Sequence, residues 1–176
     1  MKRIAARIAA AIDRACDVGA WLAVLCCALL GAMLIGESFA TAALGWSQPW
    51  AVEYSAYLAA TTLFAGSGYT LRHGAHIRVA AVLASLPRGL ARSLDAGCTA
   101  FALGIACFAA SGLTELAFRS ATLNSVSYFT MQTPLAAPQA VLAASFWLLA
   151  AALLARGLRL LADVPLVDEA EHPAEL

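Results

Sequence analysis

The sequence predicts an all-α integral membrane protein: four transmembrane helices, an amphipathic helix on the cytoplasmic surface between the second and third, and both termini in the cytoplasm. Three observations predict it. Of 176 residues, 62% are apolar and only 12% charged, with a mean hydropathy of +0.78, outside the usual range of soluble domains. The apolar residues gather into four runs near the length of about 20 that a helix needs to cross a hydrocarbon core of roughly 30 Å. With those four runs in the membrane, every cation but Arg119 falls on one side. The chain is too short to add a second, soluble domain.

Residues 1–17 carry Lys2, Arg3, Arg7 and Arg14 opposite a stripe of Ile4, Ile8 and Ile12, the pattern of a short amphipathic helix on an anionic leaflet. Ala40-Thr41-Ala42 resembles a signal-peptidase site. The apolar run from Val18 to Phe39 is longer than a signal peptide's apolar region of about 7–15 residues, however, and further spans follow. Leu25, where a lipoprotein needs a small residue before Cys26, argues against lipidation. The first span is therefore expected at about 18–39. Gly45-Trp46-Ser47-Gln48-Pro49-Trp50 forms a turn whose tryptophans suit the water interface. The second span, about 51–71, carries Ser55, Ala59, Thr62 and Gly66, small enough for another helix to approach closely.

Leu71-Arg72-His73-Gly74-Ala75-His76-Ile77-Arg78-Val79 ends that span abruptly. Gly74 can turn the chain, and Arg72 at the lipid boundary can snorkel toward headgroups. A surface helix follows at about 75–92, with apolar residues from Ile77 to Leu90 interrupted by Arg78, Arg88 and Arg92. Pro87 predicts a break and a new helix with that proline in its first turn, leading directly into a third span at about 94–116. In that span Gly97, Ala100, Gly104, Cys107, Ser111 and Thr114 are spaced three, four, three, four, three, a heptad seam of small residues. Such a seam is weak in water but a strong association face in lipid, where close backbone approach supplies the attraction. An irregular segment at 117–138 precedes the fourth span, about 138–161, and an acidic, disordered tail is expected at 163–176.

Glu37, Glu53, Glu115 and Arg119 lie on the side away from the other cations. They read either as solvated groups at helix ends or as a periplasmic acidic rim that docks a partner. Glu115 precedes Arg119 by four, the favourable order for a helical ion pair. Catalytic, cofactor and metal sites are not expected. His73 and His76 have no nearby carboxylate or cysteine to complete a metal site, and no span carries the axial histidines that haem requires. The five cysteines show no metal-binding spacing, and four sit in apolar runs as packing residues. Nothing points to nucleic acid, to an enzyme, or to a solute path through this chain alone.

Trp50-Ala51-Val52-Glu53-Tyr54, then Gly66, then Arg72-His73-Gly74-Ala75-His76-Ile77-Arg78-Val79, with Thr133-Pro134-Leu135-Ala136-Ala137-Pro138-Gln139 before the last span, together resemble a known family. It is the small membrane subunit, DctQ type, of tripartite ATP-independent periplasmic (TRAP) transporters. The most specific part is Gly74-x-His76-Ile77-x-Val79, and Ala80 stands where many members carry an acidic residue. The resemblance implies a bacterial inner-membrane subunit that works with a large permease subunit and, transiently, a periplasmic substrate-binding protein. It implies import of organic acids or related solutes on a sodium gradient, with the substrate and sodium sites in the large subunit and this chain as scaffold among membrane lipids. The competing reading is an independent tetraspan protein, such as a small redox or membrane-stress component.

Overall fold

A computed structural model describes residues 2–73, 87–129 and 131–162, and the described chain is helical apart from its turns and one isolated β-bridge. The helices are α1 (Lys2–Leu44), α2 (Ala51–Ala65), α3 (Ser67–Arg72), α4 (Arg88–Thr122) and α5 (Ala136–Ala162). Three of them, α1, α4 and α5, are individually long and apolar enough to cross a membrane.

No proline interrupts α1, so the N-terminal segment expected as a short helix of its own is instead the first turns of one helix of 43 residues. At 1.5 Å per residue that helix is about 64 Å long, twice a hydrocarbon core. It stops at Gly45, whose φ of +63° is the left-handed conformation that favours glycine. Helices α2 and α3 are separated only by Gly66, which keeps helical dihedrals of −79° and −13°. The Thr70 amide donates to the Gly66 carbonyl at 3.1 Å, so the helical path continues through the irregularity.

Pro87 sits one residue earlier than expected, at the N-cap of α4 with ψ of 140°. The Ala91 amide donates to its carbonyl at 3.0 Å. Residues 88–92 of the expected surface helix are the opening turn of α4, and 74–86 lie outside the described residues. Helix α4 runs past 116 to Thr122, so the irregular connection is shorter than expected. The exposed Glu115–Arg119 pair, 2.9 Å apart, supports the added turns. Between α4 and α5 the chain forms a narrow hairpin: Val126 bridges Pro134, the Ser127 amide donates to the Thr133 carbonyl at 2.9 Å, and the Leu135 amide to the Ser125 carbonyl at 3.1 Å.

Helix α5 is the hub that touches all the others; α1 packs on α2, and α4 packs mainly against α5. Among the described residues, ten of the fourteen buried apolar ones are alanine, while Trp21, Ile35, Phe39, Leu63, Phe101 and Phe108 are exposed. Small residues inside and large ones outside are the arrangement for lipid, where helices gain by close approach. Helix α1 buries Cys16, Gly19, Ala23 and Cys26, spaced three, four, three. A Cβ on Gly19 would lie 2.6 Å from the Ala65 carbonyl oxygen and 2.8 Å from Leu148 Cδ2. On Gly68 it would lie 2.9 Å from Cys16 Sγ, and on Gly66 3.4 Å from Ala23 Cβ. These contacts draw α1, α2, α3 and α5 together.

Candidate functional site

Polar side chains concentrate at the two ends of this bundle. At the end holding the start of α1, Asp13 and Asp17 lie one turn apart on a helix whose other charges nearby are cationic. Arg72, at the last turn of α3, donates to Asp17 and lies 3.8 Å from Asp13. Arg159 of α5 reaches Asp13 from the other side at 2.5 Å. One aspartate is thus shared by two arginines from two helices. Beside this cluster, Arg156 of α5, 8% exposed, pairs with Asp95 of α4 at 2.9 Å, and Arg92 donates to the Leu160 carbonyl at 2.7 Å. Four helices are pinned at one level.

Arg72 therefore departs from the expected snorkelling. It turns inward, 14% exposed, because two carboxylates on α1 compensate its charge there, and its guanidinium carbon lies 5.5 Å from the centre of the Tyr69 ring. His73, capping α3, lies with its ring centre 4.1 Å from that of Tyr69 and its Nδ1 3.0 Å from the Tyr69 carbonyl. Among the described residues no group of three His, Cys, Asp or Glu side chains converges to hold a metal ion.

At the opposite end, Glu37 organises the turn between α1 and α2. Its Oε1 accepts from the Ser47 hydroxyl at 3.0 Å and from the Gln48 amide at 2.8 Å. The Gln48 side-chain oxygen accepts in turn from the Trp50 indole at 3.0 Å, fixing the N-cap of α2. Glu53 is not a solvated carboxylate at a helix end: it is 1% exposed. The hairpin between α4 and α5 folds over it, placing the Ser127 and Thr133 hydroxyls beside the carboxylate, and Tyr57 donates to Oε1 at 2.8 Å. Thr133 also reaches the Tyr54 hydroxyl at 3.5 Å. Glu115 and Arg119 do stand exposed as an ion pair.

The seam expected on the third span faces outward within this chain. Gly97, Ala100, Gly104 and Ser111 are exposed, and a Cβ on Gly97 or Gly104 would meet nothing within 4 Å. Cys107 is half-buried against the core, and Thr114 accepts a hydrogen bond from the Trp147 indole at 3.1 Å. The face that α4 turns inward is the adjacent one, carrying Thr99, Ala106, Ala110 and Ser120. Phe146, Leu149 and Leu153 of α5 meet that side across a laterally open apolar groove of about 390 Å³ that ends at Asp95 and Arg156.

The architecture is a helical bundle, three of its helices long and apolar enough to cross a membrane, held at both ends by polar contacts and with one small-residue face left open. The family described as "Tripartite ATP-independent periplasmic transporters, DctQ component" matches residues 32–163. The chain belongs to this family. It is thus a component of a transport system rather than a member of an enzyme family, and the family works with a large permease and a periplasmic binding protein. No curated protein and no solved structure matches the chain.

The residues that carried the resemblance have distinct structural places. Trp50 caps α2, Glu53 anchors the hairpin, Gly66 lies against Ala23 and Arg72 joins α3 to α1. Pro134 closes the hairpin bridge, and Pro138 lies in the first turn of α5, where its missing amide hydrogen breaks no helical bond. Gly74, His76, Ile77 and Val79 lie outside the described residues. Sequence reading missed Asp13, Asp17, Asp95 and Arg156 as partners. The available signal was the presence of acids one turn apart beside an apolar run, where an uncompensated carboxylate is costly.

Proposed function

We propose that this chain is the small permease subunit of a sodium-gradient-driven importer of organic acids or related solutes, in the bacterial inner membrane. It enlarges and rigidifies the fixed scaffold against which the large permease subunit moves, and a periplasmic binding protein delivers the solute. The family match over 32–163 carries this reading.

Four membrane spans follow from pairing α2 with α3. Together, residues 51–72 cover about 33 Å at 1.5 Å per residue, enough for a hydrocarbon core. They lead from the Glu37–Gln48 turn to the Arg72–Asp17 pair, hence between the same two polar ends that α4 and α5 connect. The arginine-rich end is then cytoplasmic by the positive-inside rule, and the hairpin at 123–135 is periplasmic. The outward seam of α4, Gly97, Ala100, Gly104 and Ser111, with Cys107 and Thr114 at its margin, is the face offered to the large subunit. The exposed Glu115–Arg119 pair belongs to the periplasmic rim that the binding protein approaches. The basic stretch at 75–92 holds the scaffold at the cytoplasmic surface.

Reconstitution tests the proposal. Proteoliposomes holding this chain with its large permease subunit, given the binding protein and an inward sodium gradient, should accumulate solute. Vesicles holding either membrane subunit alone should not. Uptake by this chain alone, or full uptake without it, contradicts the assignment. Haem or flavin absorbance in the purified chain would instead favour an independent redox protein.

A further inference from the structure

We propose that the buried Glu53 carboxylate and the hydroxyls around it bind a single alkali-metal cation. Glu53 is 1% exposed, and its Oε2 is buried with no hydrogen-bond partner among the described residues. Its other oxygen accepts from Tyr57 at 2.8 Å. Around the carboxylate stand hydroxyls: Tyr57 and, from the hairpin, Ser127 and Thr133. No described arginine or lysine pairs with it, and Arg119, near the far end of α4, is engaged by Glu115.

A buried carboxylate with one oxygen lacking a donor and with no paired cation among the described residues calls for positive charge, since net charge buried away from water is strongly disfavoured. Hydroxyl groups can turn their lone pairs toward a cation while keeping their hydrogens for other acceptors. An all-oxygen set selects a hard ion, and calcium or magnesium sites generally draw on more carboxylate charge than one glutamate supplies. A monovalent alkali cation matches the single charge. Bound there, it ties α2 to the hairpin between α4 and α5, so it adds stability to the folded chain by mass action.

The test is thermal unfolding of the full chain in detergent, titrated with sodium chloride or potassium chloride against choline chloride at constant ionic strength. The wild-type midpoint should rise saturably with one alkali ion, by about 3 °C at tenfold excess over its Kd, and not with choline. Glu53→Gln, which keeps an oxygen for Tyr57 but removes the charge, should lose the ion-specific rise, while Glu115→Gln keeps it. Should Glu53→Gln not fold, Ser127→Ala and Thr133→Ala must each shift saturation to at least about tenfold higher salt. A wild-type midpoint identical in alkali and choline salts overturns the proposal, as does an unaltered alkali response in these pocket variants. A carboxyl satisfied by a proton or by water alone gives the first of those results. The outcome does not depend on the transport role.

Discussion

Arg159 lies 2.5 Å from Asp13, joining the end of the last helix to the start of the first across 146 residues of sequence. The same carboxylate faces Arg72 at 3.8 Å. Removing Asp13 therefore strands the Arg159 guanidinium and leaves Arg72 to Asp17 alone. Asp13→Ala should lower the unfolding free energy by about 3 kcal/mol, the scale for breaking a buried pair on one side. Asp13→Glu should recover part of that loss. Thermal unfolding in detergent measures both, and an Asp13→Ala midpoint equal to wild type would show that the cluster contributes nothing to stability.

Exposure sets the worth of the remaining pairs. Arg156 and Asp95 are 8% and 18% exposed, whereas Arg119 and Glu115 are 71% and 66% exposed. Asp95→Ala should cost about 3 kcal/mol, and Glu115→Ala no more than about 0.5 kcal/mol. Equal losses in the same unfolding assay would contradict this ordering.

Glycine positions provide a packing contrast. Gly19→Val places new atoms against the Ala65 carbonyl and Leu148, where even a Cβ would be 2.6 Å from that oxygen. It should destabilise by about 2–3 kcal/mol or prevent folding. A Cβ on Gly31 meets nothing within 4 Å, so Gly31→Val should be tolerated. Expression level and monodispersity on gel filtration distinguish the two variants.

The turn held by Glu37 makes a smaller contribution. Glu37→Ala releases the Ser47 hydroxyl and the Gln48 amide, both at a half-exposed site. A cost of about 1 kcal/mol is expected, together with faster amide exchange at Gln48. Unaltered exchange there would show that the turn holds its shape without the carboxylate.

The all-helical architecture with long apolar helices was legible in the sequence because length and hydropathy are properties of whole segments. The polar clusters were harder to read because they are pairwise. Arg72 at a span boundary is compatible with snorkelling, and only the fold brings Asp13 and Asp17 within its reach. Glu53 illustrates the same limit: its place in the first turn of a helix suggested solvation, but the hairpin closes over it from 70 or more residues away in sequence. The small-residue seam of α4 was legible as a face without its occupant. A heptad of small residues marks where a helix can be approached, and the chain's own α5 uses the neighbouring face carrying Ala106 and Ala110.

That open face concentrates the central claim, that this subunit serves as a scaffold clamped to a larger permease. Gly104 has room in the isolated chain, so Gly104→Leu should leave the unfolding midpoint near wild type. Co-purification of the tagged variant with the large permease subunit from co-expressing cells tests the claim most directly. Recovery of the large subunit should fall by at least about fivefold, the effect of losing roughly 1 kcal/mol of association energy. Wild-type recovery by a folded Gly104→Leu chain would contradict the account, because it would mean that the seam does not hold the partner.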